Sequence, residues 1–533
     1  MSTPLACTII ANNYLAYARA FTCSFLERHP AGSVCVLIVD RPQPGHRYED
    51  EPFAVTFADQ LGIPGFGHFS FRYSIVELST AVKPWFLLHL HRTLGCDRVC
   101  YFDPDILIFG DLGELYDSLG RADAVLTPHL TAPVDDSWVP GEREILLSGV
   151  YNLGFLGLAF NERTLAFLDW WKQRLYRWCL HEVHEGLFVD QRWMDLAPAF
   201  LPRTEILRDP GYNAAYWNLA HRTPARRDGA WWIGDVPLRF FHFSGYDFKR
   251  PDSLSKFQNR YTFDDRPDVL PLFELYGESI RRQGQQEVQD YPYAYGRFAN
   301  GVAIPDLARR TLRRIDPEGV RWPDPFDTAG PDSFFDWLRQ PADDDAFVPL
   351  PRLALLLWDQ REDLQRVFAR PWAEDRLPFA HWFVQLAATQ REGIDPAFAT
   401  GLAGLLSRVS VPSEQSMTRL VSLMHQPERE AGELQGSEIA WLTADAGHDS
   451  SRRPRVPRLA LEIYRRRSDL LRAYPDPLGA DRKTLALWFV TSGRQEYRLP
   501  KAVVAPVLRT LPWRQRAWAL LWWERQKRRE KTA

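Results

Sequence analysis

Two aspartates, Asp103 and Asp105, flank a proline inside the otherwise apolar run VCYFDPDILIFGDL (99–112). Carboxylates are seldom left in such a run without partners, because stripping water from a charge is costly. Two positions apart at the end of an extended strand, both would face one side. Pro104 ends regular pairing there, having no N–H to give a ladder. The pair is either an Asx-type turn or two oxygen ligands for a hard divalent cation, whose other positions go to water and phosphate oxygens. The apolar residues on both sides weigh toward the second reading.

Other groups capable of chemistry sit in or beside apolar runs. His242 in FFHFSG is either a satisfied core histidine or an imidazole ligand. Asn152 opens the run YNLGFLGLAF (151–160), and a buried amide there must be hydrogen-bonded to the fold or to a ligand. Asp190 and Gln191 lie side by side in VDQRWMDL. Asn12 and Asn13 follow the apolar stretch ACTIIA.

These residues need a scaffold, and the first ~260 positions alternate between strand and helix signals. Strands are expected at 6–11, 33–39, 98–102, 124–128, 151–160 and 238–243, and helices at 14–28, 79–94 and 161–178. Several strands are continuous apolar runs, as in sheets covered on both faces. The alternation predicts an α/β sheet, whose ligands gather beyond the carboxyl ends of strands. The tripeptides Ala11–Asn12–Asn13 and Asp103–Pro104–Asp105 fall at such ends.

Length and composition bound the alternatives. A chain of 533 residues exceeds one ordinary core and predicts two or three domains. With 45% hydrophobic and 25% charged residues it reads as globular, and a net charge of -3 argues against a nucleic-acid binder. Twenty tryptophans suit either sugar-contacting surfaces or packed helices. The six cysteines lack C-x-x-C spacing and fit reduced thiols in a cytoplasmic protein. The N-terminal residues show no secretory pattern, and no stretch approaches the ~20 apolar residues of a membrane span.

A Pro-, Asp- and Arg-rich stretch from about 260 to 330 reads as a connection. Beyond it, the 34 residues from Pro351 align without gaps to those from Pro457, with about half the positions identical. Arg376 matches Arg482, and Trp382 matches Trp488. Shared tryptophans and leucines at fixed spacing predict a duplicated helical unit.

Taken in order, five short motifs resemble those of GT-A nucleotide-sugar glycosyltransferases, in particular the retaining family containing glycogenin and bacterial lipopolysaccharide galactosyltransferases. IIANNY resembles the base-holding first loop, and YFDPDILIF the D-x-D metal motif. YNLGFLGL resembles the strand lining the donor sugar, VDQRWMDL the segment near the anomeric carbon, and FFHFSG the segment supplying a metal-binding histidine. The phrases STAVKPW, RDPGYNAAYWNL and HFSGYD are similar to a bacterial subgroup found with polysaccharide genes. The resemblance spans roughly residues 5–250.

The resemblance implies a GT-A domain, a Rossmann-like mixed sheet, over residues 1–262. A linker and helical extension (263–345) and a helical domain (346–533), with the duplicated unit at 351–384 and 457–490, would follow. It implies metal ligation by Asp103, Asp105 and His242, with Asp103 also available to a ribose hydroxyl. Imidazole beside carboxylates favours Mn²⁺ over Mg²⁺. It places Ala11, Asn12, Asn13 and Tyr14 at the base, Asn152 on sugar hydroxyls, and Gly245 in the loop after the histidine. Gln191 falls on the sugar's β-face, where an amide suits front-face attack with retention, and Asp190 on sugar hydroxyls; double displacement through Asp190 is the alternative. Two departures stand out. Relatives commonly carry an acidic residue where this chain has Asn12-Asn13-Tyr14, and YDFKRP replaces the usual Lys-Pro-Trp. The diphosphate-neutralising lysine is therefore Lys249, Lys256 or Lys83.

Other signals lead elsewhere. GIPGFGH (62–68) follows no strand and is no dinucleotide fingerprint. HEVHE (181–185) has its second histidine one residue early for a zincin and is expected at a polar helix end. The basic, Trp-rich segment WRQRAWALLWWERQKRREK either packs its tryptophans inward or rests on a membrane surface. The expected function is metal-dependent transfer of a hexose from a nucleotide-sugar, UDP-linked, to a glycan, lipid-linked or protein acceptor. The alternatives are a non-catalytic carbohydrate-binding scaffold on a degenerate version of the fold, or a nucleotide-sugar hydrolase.

Overall fold

The computed structural model describes residues 3–343, 348–372, 375–387, 393–408, 444–446, 454–465, 467–497, 499 and 501–532. The chain divides into two compact units, Met1–Phe298 with Asp316–Phe326, and Ala299–Ile315 with Asp327–Ala533.

The first unit is built on a seven-stranded mixed sheet. In chain order its strands are β1 (Leu5–Ile10), β2 (Ser33–Ile38), β3 (Ala54–Phe57), β4 (Arg98–Phe102), β6 (Ala124–Leu126), β7 (Phe155–Ala159) and β8 (Thr204–Ile206), with β5 (Ile106–Ile108) outside it. The spatial order is β8-β6-β7-β4-β1-β2-β3. All pairings are parallel except those of β7, which runs against both β4 and β6. Every residue of β1 is buried, as the continuous apolar run requires of a strand covered on both faces. A second sheet joins β9 (Ala214–Ala215), β10 (Phe240–His242) and β5 in the order β9-β10-β5.

Helix α1 (Leu15–Arg28) buries Leu15, Phe21 and Phe25 and stops before Pro30, whose ring drives His29 out of helical geometry. The single helix expected at 79–94 is two. Helix α2 (Ile75–Ala81) starts at a Ser74/Glu77 capping box, and α3 (Lys83–Leu94) follows with Pro84 in its first turn. Pro84 lacks the N–H that would continue α2 but suits a helix start. Helix α4 (Glu162–Trp178) is capped by the Asn161 side chain. HEVHE lies beyond the end of α4, in a short hairpin pairing His181–Glu182 with Leu187–Phe188, so the expected helix end is corrected.

Three fully buried rings pin the segments that carry the site. Phe102 precedes Asp103, Phe155 follows Gly154, and Phe240 lies two residues before His242. Their ring centroids are 5.3 Å apart in all three pairs. Such aromatic pairs add about 0.5–1.5 kcal/mol each beyond burial.

In the second unit the two copies of the repeat fold to the same succession. Arg352–Gln360, Glu362–Val367 and Arg376–Leu386 correspond to Arg458–Arg465, Ser468–Ala473 and Arg482–Trp488. One device recurs in both. Arg376 donates to Val348 O at 2.7 Å and binds Asp343, while Arg482 donates to Pro454 O at 2.8 Å and binds Asp445. Buried guanidinium groups need this full set of acceptors, which explains why the arginine stands in both copies. In the last helix, Trp513–Thr532, Trp523 donates to Val490 O, whereas Trp513 and Trp518 are exposed. Among the described residues no helix is long and apolar enough to cross a membrane.

Candidate metal and ligand site

A turn, rather than strand alternation, brings the aspartates together. Strand β4 ends at Phe102, and Ile106 N donates back to Asp103 O at 3.2 Å, with Pro104 second in the four-residue turn. The turn and metal-ligand readings of the sequence are therefore compatible. Asp103 N donates to Gly154 O at 2.7 Å, which ties the turn to the start of β7. Strand β5 then pairs antiparallel with β10, matching His242 with Ile106, and Phe243 N donates to Asp105 O at 2.9 Å. That register sets the imidazole beside the carboxylates.

Ligand-type atoms of Asp103, Asp105 and His242 lie within 4.8 Å of one another. His242 Nε2 is 3.0 Å from Asp105 Oδ1 and 3.8 Å from Asp103 Oδ2. Oδ1 of Asp105 is buried, and its approach to the imidazole falls outside hydrogen-bonding geometry, leaving it without a hydrogen-bond partner. The Tyr101 hydroxyl donates to Asp103 Oδ1 at 2.6 Å. Burial raises the pKa of Asp103, opposed by Lys83 and reinforced by Asp105. Burial opposes protonation of His242, but the two carboxylates outweigh it and raise its pKa.

The orientation of the imidazole is fixed from behind. Asn213 Nδ2 donates to Asn152 Oδ1 at 3.0 Å, and the Asn152 amide nitrogen lies 3.4 Å from Gln191 Oε1. Asn152 Oδ1 is thus an acceptor, so His242 Nδ1, 3.2 Å away, carries the proton. Nε2 is left facing the carboxylates, the arrangement a metal-binding histidine needs. His129 completes the cluster: its Nδ1 donates to Val150 O, leaving Nε2 to accept from the Asn152 amide at 3.3 Å. Gly154 is required by contact, because a Cβ there would sit 2.3 Å from His242 Cε1. The donor set, the unpartnered oxygen and the oriented imidazole all fit a divalent cation.

Gln191 and Asp190 adjoin this cluster. Gln191 Oε1 accepts from Leu153 N at 3.0 Å, and its Nε2 donates to Ser148 O at 3.0 Å. Asp190 is buried and pairs with Lys83 Nζ at 2.5 Å. Burial raises the Asp190 pKa, and the Lys83 charge opposes that rise. Lys83 also donates to Leu153 O at 3.0 Å and lies 4.1 Å from the Tyr101 ring centroid, so its charge is held inside the fold. Val189, just before Asp190, has φ 42°, a left-handed conformation that costs a β-branched residue about 1–3 kcal/mol.

No family model matches the chain. The uncharacterized proteins YfnF and YfnD of Bacillus subtilis (strain 168) are similar to it. YfnF is 28% identical over 38% of this chain and 67% of its own length, and YfnD 23% over 43% and 73%. Among solved structures, the galactosyltransferase LgtC in complex with donor and acceptor sugar analogues is 16% identical, with a TM-score of 0.32 over 52% of this chain and 95% of that one. The glycosyltransferase GlyE of Streptococcus pneumoniae TIGR4 is 14% identical, with a TM-score of 0.29 over 56% of this chain and 67% of that one.

The other residues singled out in the sequence are more scattered. Ala11 and Asn12 are buried at the end of β1; Asn12 donates to Arg41 O at 2.8 Å and accepts from the Tyr48 hydroxyl at 2.6 Å. Asn13 is half-buried, and Tyr14, with 40% of its surface exposed and the rest covered, stacks on Tyr17 with centroids 4.4 Å apart. The Asp105 charge contributes to raising the Tyr14 pKa, after burial. Gly245 has φ 74° and a turn tight enough that a Cβ would meet Ser255 Oγ at 2.4 Å. Lys249 and Lys256 are exposed; the Lys256 ammonium lies 5.0 Å from the Phe257 ring centroid. Tyr101, His129, Gly154 and Asn213 were not singled out. Tyr101 carried a signal, since it lies on the strand two positions before Asp103, within reach of a residue at the strand's end. Asn213 adopts φ 53°, a conformation asparagine tolerates better than most residues.

Proposed function

We propose that this chain is a metal-dependent glycosyltransferase moving a hexose from a nucleotide-sugar, a UDP-sugar foremost, to a glycan, lipid-linked glycan or protein acceptor. The observation carrying this reading is the unpartnered buried oxygen of Asp105 beside an imidazole whose Nε2 is turned toward it. A divalent cation held by Asp103, Asp105 and His242, Mn²⁺ before Mg²⁺, would supply Lewis-acid stabilisation of the departing nucleoside diphosphate.

The remaining work belongs to the chain's own groups. The Tyr101 hydroxyl orients Asp103, and Asn152, held by Asn213 and Gln191, orients His242. Gln191 offers an amide fixed by two backbone partners, too weak a nucleophile to form a covalent intermediate. Asp190 is engaged by Lys83. Both features favour front-face attack with retention over double displacement. Ala11, Asn12, Asn13 and Tyr14 would border the base. Gly245, Lys249 and Lys256 would lie in the loop closing over the diphosphate. Buried free thiols at Cys7, Cys35, Cys100 and Cys179 support a cytoplasmic setting. The exposed tryptophans of the last helix support peripheral contact with the inner face of a membrane.

The test is turnover of a panel of nucleotide-sugars with and without Mn²⁺. Nucleoside diphosphate release that requires the metal and disappears in Asp105→Ala is expected. Absence of turnover with every donor contradicts the proposal.

A further inference from the structure

Helices α3 and α4 pack against each other, and with the turn at 61–64 they enclose a cleft of about 600 Å³ within the first unit. That volume lies within the range of small-ligand sites, roughly 300–1,000 Å³. None of the metal-site residues lines it. Trp85 and Leu88, 7% and 6% exposed, form its floor, and Tyr176 and Trp178 add flat ring surface.

The lining carries Arg92, Lys172, Arg174 and Arg177 and no acidic residue. Two of these charges are already met: Lys172 pairs with Asp169 at 2.6 Å and Arg177 with Glu318 at 2.8 Å. Arg174 lies over the rings of Trp170 and Trp178, at 5.8 and 6.0 Å from their centroids, and makes no ion pair among the described residues. Arg92 is exposed on the rim and likewise makes no ion pair among the described residues. The cleft therefore offers two guanidinium groups outside any ion pair among the described residues, Arg174 over indole rings and Arg92 on the rim, where its charge also acts on Asp169. Guanidinium groups bind carboxylate and phosphate in bidentate fashion, and indole faces bury apolar sugar C–H surfaces.

The cleft shares both its walls with the metal site's supports. Helix α3 begins at Lys83, which holds Asp190. Trp178, the last residue of α4, stacks on Trp193 with centroids 6.1 Å apart, two residues beyond Gln191. We propose that this cleft binds an acidic oligosaccharide, with a carboxylate or phosphate seated between Arg92 and Arg174 and a sugar ring beside Arg174 against the exposed part of Trp178, 43% of which is open to solvent. The choice of saccharide over other anions rests on the glycosyltransferase reading; the charge and the aromatic floor do not.

Calorimetric titration of the full chain with tri-galacturonate, without metal or nucleotide, tests the proposal. Tri-galacturonate should bind, more weakly as salt is raised, and at least about tenfold more tightly than neutral maltotriose. The surface variant Arg92→Ala/Arg174→Ala should lose about tenfold in affinity, Trp178→Ala should also weaken binding, and both should keep the wild-type circular dichroism. No binding at millimolar tri-galacturonate, unchanged affinity in both variants, or equally tight binding of hexaglutamate overturns it. Donor turnover without tri-galacturonate binding removes this proposal alone. Arginine-dependent binding in a protein that turns over no donor leaves the cleft standing and removes the transferase reading.

Discussion

Asn152 Oδ1 lies 3.2 Å from His242 Nδ1, and Asn213 donates to the same oxygen at 3.0 Å. The amide therefore acts on the metal site through the histidine, deciding which ring nitrogen faces Asp103 and Asp105. Removing such an orienting partner typically lowers metal affinity about 10–100-fold. Asn152→Ala should weaken Mn²⁺ binding by that factor while leaving the fold intact, as read by calorimetric metal titration and circular dichroism. Unchanged affinity would mean that the ring is oriented by its burial alone.

Gly154 makes a sharper demand. A Cβ at this position would sit 2.3 Å from His242 Cε1 and 2.8 Å from Asn152 Oδ1, and neither neighbour can retreat from a buried network. Overpacking of this kind costs about 1–3 kcal/mol. Gly154→Ala should lower the urea midpoint of the first unit and abolish stoichiometric metal binding together. A fully stable variant that still binds metal would show that the strand start can shift.

The carboxylate pair was legible because charge inside an apolar run is conspicuous, and His242 and Gln191 because they recur in an ordered motif set. The means of bringing them together was not. The Asp103–Ile106 turn depends on a backbone hydrogen bond rather than on strand alternation, and His129 and Asn213 reach Asn152 from distant segments by tertiary contact. The central strands β1, β2, β4 and β7 could be read from their hydrophobic runs. The edge strands β3 and β8 are short and only half-buried, so their periodicity is faint. Pro84 divides what a hydrophobic period alone joins into one helix.

Within the same cluster His129 should weaken the fold in acid, against His242, Asp103 and Asp190, whose raised pKa values make the opposite contribution. Burial holds the His129 pKa down to about 4, whereas the unfolded chain would take a proton near the ordinary value of about 6.5. Between those values the unfolded state binds more protons, so stability is complete above pH ~6.5 and falls as the pH drops toward ~4, by about 3 kcal/mol. Asp123 extends the loss further down. Burial opposes its charge, but Arg203 and Arg163 outweigh this and hold its pKa well below the carboxylate range, so its contribution disappears as it protonates. Urea unfolding at stepped pH should show the slope between 6.5 and 4 reduced in His129→Gln. An identical slope in that variant would assign the acid sensitivity elsewhere.

The central claim is that Asp103, Asp105 and His242 form one divalent-cation site serving a nucleotide donor. Electron paramagnetic resonance of free Mn²⁺, titrated with protein in the presence of UDP, measures this most directly. The wild-type chain should remove one equivalent of Mn²⁺ from solution, and Asp105→Ala and His242→Ala should remove none, with UDP alone as the baseline. Stoichiometric binding that survives both substitutions, or none by the wild-type chain, would contradict it.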